Sequence, residues 1–147
     1  MSTAIIGTGG LGSVIARRLA SGGETLRLSS ADAESARTLA AAIGRQAAAA
    51  SDNHDALQGA DAVILALRFG VLKGVIEEIA DSLTDKLVVV PSNPVGLDAQ
   101  GKIVRLLPER QSSGKVVAGS CRPPPDRGSQ RSCRLCVGAR ETQGLAA

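Results

Sequence analysis

Along this chain, short continuous apolar runs alternate with stretches whose apolar residues recur every three or four positions. Runs of the first kind read as strands buried on both faces, and stretches of the second as helices packed by one side. Residues 4–6 predict a first strand. Gly10–Ser21 predicts a first helix, with Leu11, Val14, Ile15 and Leu19 on one face and Gly22 and Gly23 as its stop. Residues 25–28 predict a second strand. Residues 31–43 predict a second helix, with Ser29 or Ser30 as N-cap and Gly44 at its end. The alanine-rich residues 46–51 favour helix by propensity, but their place between two helices assigns them to a third strand. Residues 52–58 form a short helix or turn.

The run Asp61, Ala62, Val63, Ile64, Leu65, Ala66, Leu67 lies between Gly59 and Gly70 and predicts a buried parallel strand. Residues 71–83 predict a helix with Leu72, Val75, Ile76 and Ile79 inward and Lys73, Glu77 and Glu78 outward. Residues 87–90 predict the next strand. A loop with Pro91, Pro94 and Gly96 follows, then an amphipathic stretch at 103–107 and a strand-like piece at 116–118. Strands alternating with helices imply right-handed crossovers and a parallel sheet covered on both faces. The fold class is therefore α/β, a doubly wound parallel sheet of Rossmann type, incomplete at the C-terminus.

The junction of the first strand and helix carries the chemistry. Gly7, Thr8, Gly9, Gly10, Leu11 and Gly12 form a G-x-G-x-x-G loop between an apolar run and a helical pattern. The first glycine of such a loop makes a tight turn. The second lets a pyrophosphate approach the backbone, and the third packs helix on strand. The helix then begins at the phosphate, with unpaired N–H groups and its positive dipole end facing it.

Composition divides the chain. Five of the 17 Lys+Arg and two of the 14 Asp+Glu lie in residues 121–147, so the whole net charge of +3 sits there. All three cysteines are there as well. Residues 1–120 read as one dinucleotide-binding domain, and 121–147 as an Arg/Pro/Cys-rich tail with the composition of a disordered segment. The charge of the tail is not a basic folded surface, so nucleic acid is not an expected partner. No apolar run reaches the roughly 20 residues that span a bilayer. No membrane partner is expected, and the lack of a recognisable signal peptide makes the expected location cytoplasmic. Phe69 is the only aromatic residue, which leaves aliphatic side chains to fill the core.

The glycine loop with Ser13, the strand at 61–67, and Pro91, Ser92, Asn93, Pro94 and Val95 resemble the NADP oxidoreductases dependent on the deazaflavin coenzyme F420. That family shares its N-terminal domain with pyrroline-5-carboxylate reductases. The resemblance covers residues 1 to about 120. It implies that the glycine loop holds the pyrophosphate and that the end of the second strand, Ser29 and Ser30, holds the 2′-phosphate. It also implies that the ends of later strands, at Leu67 and Asn93, border the ribose and nicotinamide; Arg68, by its place after the fourth strand, either touches a phosphate or ribose or is a solvated loop residue, and the alternative for Asn93 is a turn with Pro94. The implied reaction is hydride transfer between NADP(H) and a deazaflavin-type or similar small redox partner. The cofactors would carry that chemistry, so no catalytic residue is named. A homodimer is implied for full-length relatives. The alternative is a dinucleotide-binding or sensing protein without turnover.

Two departures from the family pattern stand out. Ala31 occupies the place of an Arg that would grip the 2′-phosphate, with Arg27 and Arg37 nearby. No acidic residue ends the second strand to hold a ribose hydroxyl, so NADP is expected over NAD. After residue 120 the family's continuation gives way to the tail, as after a truncation or a one-base frameshift. Cys133 and Cys136 form one C-x-x-C pair, but zinc takes four ligands and the only histidine, His54, is far away in sequence. No metal site is assigned.

Overall fold

The computed structural model describes residues 1–108, Gln111, Ser113 and 134–136. Strands β1 (Ser2–Ile6), β2 (Thr25–Ser29), β3 (Ala47–Ala49), β4 (Ala62–Leu65) and β5 (Leu87–Val89) form a parallel sheet in the order β3-β2-β1-β4-β5. Helices α1 (Gly10–Ser21), α2 (Ala33–Ile43), α3 (Asn53–Leu57) and α4 (Phe69–Ile79) connect them, and a 3-10 turn at Ala80–Leu83 extends α4. This is the Rossmann-type arrangement expected from the alternating pattern. The chain leaves β1 toward β2 and β3, then returns across β1 to β4. The order therefore reverses beside β1, where such sheets open a crevice for ligands.

The two faces of the sheet are packed differently. Ile5, Leu26, Leu28 and Ile64 meet the small residues Ala16, Ala36 and Ala40, together with Leu39, of α1 and α2. On the opposite face, Ile6, Val63, Leu65 and Val88 meet Leu57 of α3, Leu72, Ile76 and Ile79 of α4, and Leu83 of the 3-10 turn. Each such aliphatic side chain contributes about 1.5–3 kcal/mol by leaving water. Alanine on the first face lets α1 and α2 lie close to the strands without aromatic filler.

Several local expectations change. The inward face of α1 is built on Gly12 and Ala16, with Ile15, Leu19 and Ala20 beside them. Leu11 and Val14 are exposed. The close contact at Gly12 sets the helix's rotation, and residues one turn on, not the largest apolar ones, then face the strands. The cap of α2 is Asp32, whose carboxylate accepts from Glu34 N–H at 3.1 Å. Ser29 cannot cap, because it is the last residue of β2. The loop after Pro94 contains β6 (Val95–Leu97), paired antiparallel with β7 (Ile103–Arg105). Asp98 turns this hairpin by accepting from the N–H groups of Gln100 and Lys102.

Within the tail, Arg134–Cys136 forms β8, parallel to β5 with Leu135 opposite Val88. Those three residues thus join the sheet edge. The strand-like piece at 116–118 and the rest of the tail lie outside the described residues. Among the described residues no helix is long and apolar enough to cross a membrane.

Candidate dinucleotide site

β1 ends at Ile6, and the chain turns at Gly7 with φ +99°. That left-handed conformation disfavours any side chain. A Cβ at Gly7 would also stand 2.5 Å from the Ala66 carbonyl oxygen, and one at Gly12 would collide with the Gly7 carbonyl oxygen. The first and third glycines are therefore demanded by the protein's own packing. The Gly7 N–H donates to the Ser29 carbonyl at 2.8 Å, which ties the loop to the end of β2.

Gly9 is different. Its φ is −67°, and a Cβ there would meet nothing within 4 Å among the described residues. Among the described residues neither backbone nor packing requires glycine at this position, which leaves the loop open to a ligand. Gly9 is also the N-cap of α1, where no side chain caps the helix and no acidic residue occupies the first turn. The uncapped amides and the positive end of the helix dipole suit an anion. Beside them, Thr8 is buried, and its Oγ1 has no hydrogen-bond partner among the described residues. An unsatisfied buried hydroxyl costs about 1–3 kcal/mol, and a ligand oxygen over the loop would supply its partner. Gly10 and Leu11 are exposed on the same side. The residues present thus fit a dinucleotide pyrophosphate.

At the end of β2, Ser29 is buried and Ser30 half-buried. The Ser29 hydroxyl donates to Asn53 Oδ1 at 2.7 Å. Ala31 and Asp32 follow, both exposed. Arg27 points to the α3 face of the sheet and pairs with Asp55 at 2.5 Å. It is held by the fold, away from the strand end. Arg37 pairs with Glu34 on the exposed side of α2. The Asp55 carboxyl lies below its ordinary value of 3.8, chiefly because the Ser51 N–H donates to it. Desolvation opposes that shift, and the Arg27 charge and the side-chain hydrogen bonds from Ser51 and Arg27 support it.

Past β4, Leu67 is half-buried, and Arg68 is exposed as the N-cap of α4. The Ser92 hydroxyl donates to the Leu67 carbonyl, and the Ser113 hydroxyl donates to the Ser92 carbonyl at 2.9 Å. Asn93 is exposed, and its carbonyl accepts from Val95 N–H at 2.9 Å. Sequence reasoning passed over Asn53 and Ser113, and it used Ser92 only as part of the family pattern. Asn53 follows the N-cap Asp52 and has the look of an ordinary helix start.

Strand order, glycine loop and unpartnered buried hydroxyl together define a dinucleotide-binding Rossmann domain. The model of the family described as "NADP oxidoreductase coenzyme F420-dependent" matches residues 2–94, and the chain belongs to that family. No curated protein matches it. Among solved structures, the chain is similar to a protein of Arthrobacter sp. FB24 described as an F420-dependent NADP-reductase. The TM-score is 0.73 at 19% identity, over 82% of this chain and 58% of that one. It is also similar to the imine reductase BcSIRED of Bacillus cereus BAG3X2, with TM-score 0.56 and 27% identity over 63% of this chain and 32% of that one. An imine reductase of Myxococcus stipitatus, solved with NADP+, gives TM-score 0.57 and 22% identity over 66% and 33%. The chain thus spans between a third and three fifths of the length of these proteins. It is a Rossmann domain of an NADP-dependent oxidoreductase family.

Proposed function

We propose that the chain binds NADP(H) across the glycine loop and acts as the cofactor half of an oxidoreductase. The observation that carries this reading is the pairing of Gly9 with Thr8: among the described residues, open ground beside an uncapped helix and a buried hydroxyl without a partner. NADP(H) supplies or accepts the hydride. The chain's own part is to hold the pyrophosphate on the α1 amides, with Thr8 Oγ1 on a phosphate or ribose oxygen. Ser29 and Ser30 border the 2′-phosphate, and Leu67, Arg68 and Asn93 border the nicotinamide end. NADP is favoured over NAD because no carboxylate ends β2. The partner is a deazaflavin-type or similar small redox molecule, in a cytoplasmic protein whose full-length relatives form homodimers.

The second reading is dinucleotide binding or sensing without turnover; the solved relatives have further chain beyond the part matched here. Positioning of the second substrate and exclusion of water would fall to that further part.

The test is fluorescence titration of the unmodified chain and Gly9→Ala with NADPH and NADH. The unmodified chain should bind NADPH more tightly than NADH. Gly9→Ala should stay folded and lose at least about tenfold in affinity, or 1.4 kcal/mol. Unchanged affinity in the folded variant overturns the loop as the ligand site, and tighter NADH binding overturns the cofactor choice. Assay with reduced deazaflavin then separates the two readings: turnover supports the enzyme, and binding without turnover supports the sensor.

A further inference from the structure

We infer that Asn53 is a positioning residue for the adenosine end of the dinucleotide, acting through Ser29. The inference rests on the dinucleotide-binding reading above. Ser29 is the last residue of β2 and is 3% exposed. Its carbonyl accepts from Gly7 N–H at 2.8 Å, so one residue joins the strand end to the first glycine of the loop. Its hydroxyl donates to Asn53 Oδ1 at 2.7 Å, and Asn53 Nδ2 donates to Glu78 Oε1 at 3.3 Å. A continuous line of polar contacts therefore runs from the exposed side of α4, through α3 and β2, to the glycine loop.

α3 is placed to transmit this constraint. It has five residues and buries only Ala56 and Leu57. The rest of its anchorage is polar: Asn53 to Ser29, Asp55 to Arg27 two residues back along β2, and His54 Nδ1 to Ser82 Oγ at 3.2 Å. The Ser29 hydroxyl hydrogen is committed to Asn53, so only its lone pairs remain for a ligand. Donation to a ribose phosphate at this strand end is then left to Ser30 and to backbone amides. Without Asn53, the buried Ser29 hydroxyl must find another acceptor, and the strand end shifts with it. The 2′ position of the adenosine ribose lies at this strand end in a Rossmann site, whereas the pyrophosphate is held by loop backbone. Loss of Asn53 should therefore alter the discrimination between a 2′-phosphate and a 2′-hydroxyl more than it alters dinucleotide binding in general.

The test is a double-mutant cycle on the full chain, reading the NADPH-to-NADH affinity ratio by fluorescence titration and folding by circular dichroism. Asn53→Ala should change the ratio by about threefold or more, the scale of one hydrogen bond. In a Ser29→Ala background the same substitution should leave the ratio unchanged. Glu78→Ala, at an exposed position away from the core, should shift the ratio in the same direction by a smaller factor. An unchanged ratio in folded Asn53→Ala overturns the inference, as does a full effect that persists in the Ser29→Ala background. If Asn53→Ala does not fold, Glu78→Ala decides, and an unchanged ratio there overturns it. Dinucleotide binding with an unchanged ratio removes only the role of Asn53. Failure of the unmodified chain to bind either dinucleotide overturns the underlying reading as well.

Discussion

The glycine loop and the end of β2 are joined by one hydrogen bond, from Gly7 N–H to the Ser29 carbonyl, yet they are shaped by opposite means. The loop is shaped by missing side chains. Gly7 and Gly12 are fixed because any Cβ would strike backbone carbonyls within the same strand, turn and helix or the adjoining end of β4. The end of β2 is shaped by side chains that are present: Ser29 on Asn53, and Arg27 on Asp55. A backbone-fixed site tolerates few residues and has little freedom to change its ligand. A site fixed by side chains can be retuned by one substitution, which suits the role in dinucleotide choice proposed for the end of β2.

Gly12→Ala gives the sharpest contrast between the two regions. Its Cβ would collide with the Gly7 carbonyl, so helix and strand must separate. We expect a loss of about 3 kcal/mol or more, at the upper end for overpacking, visible as a lower urea midpoint. Gly9→Ala, three residues away in open space, should cost about 1 kcal/mol or less in the same assay, since alanine is only a poorer N-cap. Equal destabilisation by the two would erase the distinction between a packing glycine and a ligand glycine.

A smaller effect is expected from Ala31→Arg at the second region. A guanidinium beside Ser30 can make charge-assisted bonds to a 2′-phosphate and has none to make with a 2′-hydroxyl. NADPH affinity should rise by about fivefold, roughly 1 kcal/mol, with NADH affinity unchanged within twofold. An equal gain for both dinucleotides would place the 2′ position elsewhere.

The smallest effect concerns pH. The Asp55 carboxyl is depressed in the folded chain, first by the Ser51 N–H and, against desolvation, by Arg27 and the side-chain hydrogen bonds from Ser51 and Arg27. Its contribution to stability is therefore fully present above the ordinary aspartate range, about pH 4, and fades as pH falls through its lower folded value. Asp55→Asn should lower Tm slightly at pH 7 and flatten the fall of Tm below pH 4. A Tm profile unchanged by this substitution would mean that the ion pair does not hold α3 to β2.

Much of the fold was legible because its determinants are contiguous. Gly10–Ser21 is the helix expected from its pattern, and the strand at Ala47–Ala49 follows from alternation against its own helical propensity. The hairpin of β6 and β7 was not legible. Val95, Leu97 and Ile103 point outward, so no buried face gives the segment a period of two. In the site, the loop residues were readable, and Ser29 was readable as a residue of the strand end. That Ser29 gives its hydrogen to Asn53, 24 residues further on, was not.

The sequence alone determined the glycine loop of this protein. Strand, turn and helix there are consecutive, and the glycines act through sterics that few alternatives satisfy. Tertiary structure alone decided which face of α1 turns inward and which side chains complete the end of β2. A helix rotates to its tightest contact rather than to its most apolar stripe. A buried hydroxyl takes whichever acceptor the packing of α3 against the sheet brings within reach. Both choices depend on distances between segments far apart in the chain.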